Sequence, residues 1–134
     1  MQGTAFFGRT YEETLALVTD ARDYLRDRGT LDAASLDPLT KLAYSAETSR
    51  VTARLTHLMA WLLLQRAVHQ GEITAVEACR EAPELARVEI CTGEVCIEAE
   101  RLPARLNLLL ARSERLYTRI MRLDQMIRRD AIAS

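Results

Sequence analysis

The sequence predicts an all-α protein: an up-down-up three-helix bundle with a short helix and an irregular or β-hairpin excursion between the second and third helices. The chain of 134 residues has only 5 glycines and 3 prolines, so few residues interrupt helices. Apolar residues recur at helical spacing in three long stretches, and no strand pattern supports a sheet protein. A composition of 49% hydrophobic and 28% charged residues is typical of a folded globular chain, and the length suits a single domain, residues 1–134.

The first helix is predicted over residues 11–28. Thr10 and Glu13 have the spacing of a capping box, in which each side chain accepts a hydrogen bond from a free backbone N–H. Gly29 is a typical residue for ending a helix. The apolar residues lie on one half of the helix and the acidic residues on the other, so this is expected to be a one-sided surface helix.

The second helix is predicted over residues 38–70, because Asp37 and Pro38 suit its start and no breaker follows until Gly71. Its apolar residues form two nearly opposite stripes. The stripe of large side chains is expected to face the core. The alanine-rich stripe is expected to meet a second copy of the chain across a two-fold axis. The predicted dimer interface consists of Ala46, Ala53, Ala60, Trp61 and Leu64.

The connecting segment, residues 72–101, is the acidic part of the chain. Thr74 and Glu77 form another capping-box pattern, which predicts a short helix ending near Pro83. In VEICTGEVCIE, residues 88–98, Thr92-Gly93 has the form of a two-residue turn between apolar pairs. Two interpretations remain open for this stretch, a β-hairpin and an irregular excursion over the bundle.

The third helix is predicted over residues 103–130, where apolar residues alternate at spacings of three and four. A row of arginines follows one flank: Arg101, Arg105, Arg112, Arg115, Arg119 and Arg122. These arginines could bind phosphates, contact an acidic protein surface, or simply be solvated and paired with the first helix. Nucleic acid is the least favoured partner, because the chain has no recognition-helix turn and a net charge of -1.

Asp124 falls in the middle of the apolar face of the third helix, and Arg22 holds the same unusual place on the first. A buried carboxylate must be paired or protonated, because an isolated buried charge is too costly. Antiparallel counting in an up-down-up bundle brings these residues to one end. We therefore expect a structural ion pair from Asp124 to Arg22 or Arg50, with the Tyr44 hydroxyl nearby.

No pattern in the sequence indicates an enzyme, a metal site or a cofactor. His57 and His69 lie twelve residues apart on one predicted helix, roughly 18 Å along its axis, so they cannot share a metal. The Cys91-x4-Cys96 spacing is not a usual zinc pattern. With no export leader and no membrane-length apolar run, Cys79, Cys91 and Cys96 are expected to be free thiols in the cytoplasm.

Three blocks of the sequence resemble a known family, the alphaproteobacterial RcdA family, named for regulator of CtrA degradation. The blocks are FFGRTYEETLALVTDARDYL (residues 6–25), YSAETSRVTARLTHLMAWLLLQRAVHQGEIT (44–74) and ARSERLYTRIMRLDQM (111–126). The resemblance implies a homodimeric three-helix bundle without enzymatic activity. It implies an adaptor that delivers cell-cycle regulators such as CtrA to the protease ClpXP. The main alternative left open by the residues is a DNA-associated regulator that uses the arginines of the third helix. A bundle that binds a small molecule is a weaker third hypothesis, because no polar residue clearly lies alone in an apolar pocket.

Overall fold

The computed structural model describes residues 2–93 and 97–133, with side chains from Phe6 onward, and over these ranges the chain is all-α, as predicted. The long helices are α1 (Gln2–Tyr24), α3 (Pro38–His69) and α6 (Ala104–Ala133). The short helices are α2 (Thr30–Ala34), α4 (Ala75–Glu81) and α5 (Glu89–Thr92). A π-helical turn occupies Leu25–Gly29, and 3₁₀ turns occupy Leu85–Arg87 and Ala99–Arg101. None of the described helices is both long and apolar enough to cross a membrane.

The predicted ends of the first helix are wrong. α1 already begins at Gln2, so Thr10 is not a cap but a buried residue whose carbonyl accepts a hydrogen bond from the Thr14 hydroxyl at 2.8 Å. Gly29 does not end the helix either, because the π turn carries the chain on into α2. Its hydrogen side chain instead permits close packing: a Cβ there would lie 3.2 Å from the Tyr44 hydroxyl oxygen.

α3 agrees with its predicted range of 38–70 to within one residue. The Asp37 carboxylate accepts hydrogen bonds from the Thr40 backbone N–H at 3.2 Å and from the Thr40 hydroxyl at 2.6 Å. These bonds stabilise the ionised form and hold the pKa of Asp37 below its ordinary value. Gly71, with a φ of 77°, turns the chain out of the helix.

The predicted up-down-up order is wrong, because α3 and α6 run in the same direction. Arg54 binds the Ser113 hydroxyl at 3.0 Å, and Trp61 binds the Asp124 carboxylate at 2.9 Å, so the residue numbers rise together along the two helices.

α1 runs antiparallel to both of its long neighbours. Against α6, its Asp20 pairs with Arg112 and its Glu13 with Arg119, so one number falls as the other rises. Against α3, the Phe7 ring lies 5.8 Å from the Trp61 ring, whereas the Tyr24 hydroxyl lies 3.2 Å from that of Tyr44. The bundle is therefore one helix up and two helices down.

The connecting segment makes the parallel arrangement possible, because it returns along the bundle instead of turning sharply at the end of α3. Near its start the Ala82 carbonyl accepts a hydrogen bond from Arg128, and near its middle the Gly93 carbonyl accepts one from Arg50. The Thr74 capping box of α4 is confirmed. The hairpin interpretation is wrong where the structure can test it, since Glu89–Thr92 is helical. Residues 94–96 lie outside the described ranges.

The core lies between the three long helices. Its fully buried members include Leu58 of α3 and Ile120 of α6, with Tyr24 of α1. The connecting segment adds Leu85 and Cys91, each about 1% exposed. The segment is therefore part of the packed structure, and the bundle would be uncovered on one side without it.

Candidate interaction surfaces

Asp124 is a buried anchor, but its partners differ from the expected ones. Asp124 is 2% exposed, and its carboxylate accepts hydrogen bonds from Trp61 Nε1 at 2.9 Å, the Leu85 backbone N–H at 3.1 Å and Arg128 Nε at 3.0 Å. Arg128 also donates to the carbonyls of Cys79 and Ala82. This cluster fixes the start of the connecting segment to α3 and α6.

Arg22 and Arg50, the predicted partners of Asp124, lie elsewhere. The exposed Arg22 pairs with its sequence neighbour Asp23, and Arg50 pairs with the fully buried Glu47 at 3.1 Å. Tyr44 lies beside Tyr24, not beside Asp124. The prediction failed because antiparallel counting placed Asp124 at the wrong end of the second helix.

Arg54 forms a second buried anchor that sequence reasoning missed. Arg54 is 4% exposed, and its guanidinium donates to the Cys91 carbonyl at 2.9 Å, the Leu110 carbonyl at 3.1 Å and the Ser113 hydroxyl at 3.0 Å. Burial lowers the pKa of this guanidinium. A charged residue on the flank of the helical wheel gave no signal that it would be buried.

The arginine row of α6 is divided by its contacts. Arg112 and Arg119 pair with acids of α1, and the Arg105 guanidinium lies 5.2 Å from the centre of the Tyr24 ring. Half of the row therefore helps to hold α1, as in the solvated and paired interpretation. Arg115 and Arg122 are exposed and form no hydrogen bond or ion pair with residues 2–93 and 97–133, whereas the exposed Arg101 lies close enough to Asp37 for its charge to help lower the pKa of that carboxyl.

The outer face of α3 presents a long row of exposed small and apolar residues, which we call the α3 seam. Its members alternate at spacings of three and four: Leu39, Leu42, Ala46, Ser49, Ala53, Thr56, Ala60 and Leu63. Leu39 and Leu42 are 77% and 70% exposed, whereas Ala53 is half-buried. A groove of about 560 Å³ between α1 and α3, lined by apolar residues such as Val18 and Met59, adjoins the seam.

Two of the predicted interface residues do not lie on this seam. Trp61 is 2% exposed and directs its ring into the core, where its N–H binds Asp124. It is therefore unavailable to a second copy, and its placement at the interface is wrong. Leu64 is half-buried and lies beside the seam. Spacing distinguishes the seam residues from Trp61 and Leu64, because residues that alternate by three and four positions stay on one face of the helix.

The described thiols are free: Cys79 is half-buried and Cys91 is buried. Burial raises the pKa of the Cys91 thiol. Cys96 lies outside the described ranges. Within those ranges no three side chains of His, Cys, Asp or Glu are grouped closely enough to hold a metal ion.

Comparisons with known proteins find a matching family and a similar solved structure. A family model described as "Protein of unknown function (DUF1465)" matches residues 1–134. The crystal structure of RcdA from Caulobacter crescentus CB15 is similar, with 38% sequence identity and a TM-score of 0.72. The likeness covers 91% of this chain and 91% of that chain. No curated protein matches the sequence.

Proposed function

From the premise that this chain belongs to the DUF1465 family and is RcdA-like, we propose that it is a non-enzymatic adaptor or regulatory protein of the cytoplasm. Its task is to bring regulator proteins to a ClpXP-type protease. The observation that carries this proposal is the likeness to RcdA over 91% of both chains at 38% identity. The exposed seam and the free arginines supply surfaces of the kind that an adaptor needs.

A pull-down tests the adaptor role. The tagged chain is incubated with an alphaproteobacterial lysate, and the retained proteins are identified by mass spectrometry. We expect ClpX-associated proteins or a transcription regulator among them. Arg115→Glu with Arg122→Glu should weaken the recovery if the free arginines bind a partner, whereas the matched change Arg80→Glu on α4 should not. Recovery of neither class of protein would contradict the adaptor role.

The same premise supports a homodimer formed through the α3 seam. The seam is nearly symmetric about residue 51: leucines stand at both ends, and small residues fill the middle. Two antiparallel copies would therefore place Leu39 of one copy against Leu63 of the other, with close backbone approach at the centre. The adjoining apolar groove would receive side chains at the edge of the contact.

Analytical ultracentrifugation tests the dimer. We expect a dimer at about 100 µM, since an exposed apolar face of this length should associate. Ala60→Glu and Ala53→Glu should each give monomers, because each inserts a charge at a close helix contact. Ala104→Glu, the same change at an exposed position of α6, is the control. A monomeric wild type would refute the interface and leave the adaptor proposal standing.

The DNA-associated alternative is not favoured. Three of the six arginines of the row are engaged with α1 side chains, which leaves a small cationic footprint. Specific DNA contacts usually combine several phosphate-binding cations with a helix or arm in a groove. A mobility shift with duplex DNA at about 50 mM salt, lost at higher salt, would reverse this preference.

A further inference from the structure

A pocket of about 310 Å³ opens between the start of α1 and the end of α3. This volume lies at the lower end of the ~300–1,000 Å³ found for small-molecule sites. The lining is mainly apolar and comes from Phe7 and Tyr11 on α1 and from Leu62 on α3. Neither the adaptor role nor the dimer seam uses this part of the surface.

Gly8 keeps the pocket open. Its backbone does not have the positive φ that would require glycine, and a Cβ added there would meet no atom within 4 Å. Glycine is costly inside a helix, because it loses more backbone entropy on folding than other residues. Neither conformation nor packing therefore requires this glycine. Its structural consequence is a missing side chain at the point where α1 would otherwise fill the groove.

Three of the residues that line the pocket carry rings: Phe7, Tyr11 and His69. The Phe7 ring centre lies 4.8 Å from that of His69 and 5.8 Å from that of Trp61, both at a tilt of 52°. Tyr11 lines the α1 side. A flat ring bound against Phe7 and Tyr11 would gain from burial and from further aromatic contacts of this kind.

The rim of the pocket carries a positive charge. Arg66 is exposed there; its Nε donates to the Gln70 amide oxygen at 3.2 Å, and its guanidinium forms no ion pair among the described residues. Gln70, one turn later, donates its amide N–H to the Glu72 carboxylate at 3.0 Å, so the remaining N–H groups of Arg66 are the donors that a ligand can reach. A guanidinium binds carboxylates with two parallel hydrogen bonds and remains charged at any accessible pH. An apolar cleft with one cation at its rim is complementary to a ligand with a flat apolar body and one negative group.

We propose that this pocket binds a small aromatic carboxylate, with the ring against Phe7 and Tyr11 and the carboxylate on Arg66. The site is distinct from the surfaces assigned to protein partners, so it would give the adaptor a small-molecule input. Its existence does not depend on the adaptor role.

Trp61 provides a direct readout, because it is the only tryptophan of the chain and its ring contacts Phe7. Phenylacetate is titrated into the full chain at neutral pH, and Trp61 fluorescence excited at 295 nm is recorded. We expect a saturable change. The neutral analogue 2-phenylethanol should bind at least about tenfold more weakly, since a hydrogen bond to a charged group contributes that much. Acetate, which has the charge without the ring, should give no saturable change.

An aliphatic probe tests whether the pocket prefers an aromatic ring. Hexanoate has the same charge with a flexible apolar chain, and we expect it to bind more weakly than phenylacetate. Tighter binding of hexanoate would overturn the aromatic class of ligand. Equal binding of phenylacetate and 2-phenylethanol would overturn the role of Arg66. Absence of a saturable signal with all four probes would overturn the site.

Variants locate the binding. Gly8→Leu should abolish the phenylacetate signal by filling the pocket, whereas Gly8→Ala should retain most of it. Both should fold, because a Cβ at residue 8 meets no atom within 4 Å and both alanine and leucine favour helices more than glycine does. Arg66→Gln should weaken binding by roughly ten- to hundredfold, and the control Arg122→Gln should not.

Two results with these variants would contradict the proposal. One is unchanged phenylacetate binding in Gly8→Leu. The other is a shift of the monomer–dimer equilibrium in Gly8→Leu with no probe binding to the wild type, which would assign the pocket to a contact between copies of the chain.

Discussion

The three long helices and the connecting segment are held in different ways. Helices α1, α3 and α6 meet mainly through apolar side chains, with Leu58 and Ile120 at the centre. The connecting segment is held largely through its backbone, whose carbonyl and N–H groups bind charged side chains of α3 and α6. Arg54, Asp124 and Arg128 all act in this way.

The difference follows from the demands of backbone hydrogen bonding. An α-helix satisfies its own backbone groups, so its neighbours need only cover its apolar side. The connecting segment has short helices separated by irregular turns, and many of its backbone groups need partners from outside. Polar side chains on the long helices provide them. No buried side-chain nitrogen or oxygen lacks a partner within the described parts of the chain.

Loss of the Asp124 carboxylate should have the largest effect on stability. Asp124→Ala leaves Arg128 with an unbalanced charge and removes the acceptor of Trp61 and Leu85. We expect a loss of about 3–5 kcal/mol in the free energy of unfolding, measured with urea. The control Asp20→Ala removes the exposed pair with Arg112 and should cost under about 1 kcal/mol. Equal losses of unfolding free energy in Asp124→Ala and Asp20→Ala would show that the buried Asp124 cluster stabilises the fold no more than an exposed ion pair does.

Arg54→Met should have the next largest effect, because methionine keeps much of the apolar stem and removes the donors to the Cys91 and Leu110 carbonyls. We expect a loss of about 1–3 kcal/mol. Hydrogen exchange should accelerate most at residues 85–93 and least in the middle of α3. The control Arg122→Met should change neither stability nor exchange. Uniform acceleration over the whole chain would mean that the segment and the bundle unfold as one unit.

Alkaline conditions should destabilise the fold through buried phenols. Burial raises the pKa of Tyr24 and of Tyr117 in the folded state, so both stay protonated while the same groups ionise in the unfolded chain near pH 10. The unfolded state then binds fewer protons, and stability falls as pH rises above that value. The free energy of unfolding should fall by about 1.4 kcal/mol per pH unit for each of the two phenols. The Tyr117 hydroxyl donates to the Leu85 carbonyl of the connecting segment. Tyr117→Phe removes one of the two ionising groups, so the loss of stability per pH unit should be smaller by the contribution of one phenol.

The smallest expected effect is a difference in thiol reactivity. Cys79 is half-buried, whereas Cys91 is buried and its pKa is raised, so a thiol reagent at pH 8 should modify Cys79 first. Mass spectrometry after limited labelling identifies the modified residue. After unfolding without reductant, all three cysteines should react. Fewer than three reactive thiols would indicate a disulfide or a bound metal.

The sequence predicts those elements whose determinants are local. The start of α3 follows from Asp37 and Pro38, and the burial of Asp124 follows from its place on an apolar face. The direction of α6 could not be predicted, because it depends on the path of a segment with no regular pattern. That path also decides which arginine reaches Asp124. The i, i+4 spacing to Arg128 was visible in the sequence, but nothing local distinguished it from a surface pair.

The α3 seam could be partly predicted from the sequence, whereas the pocket could not. Heptad spacing along α3 is a property of one helix, so an exposed apolar row was partly foreseen. The pocket depends on the alignment of Gly8 with Arg66 across two helices, which only the fold provides. Gly8 precedes the predicted start of the first helix at residue 11, so the sequence did not indicate a glycine inside a helix.

The π turn at Leu25–Gly29 determines how the side chains of α2 are rotated relative to those of α1. An i→i+5 turn accommodates one residue more than an α-turn, so the faces of α1 and α2 are out of step by about one position. This offset brings Asp32 of α2 to the Tyr24 hydroxyl at 2.8 Å. Removal of a single residue here would restore a continuous α-helix, rotate Asp32 away from Tyr24, and turn Leu31 toward a different side of the molecule.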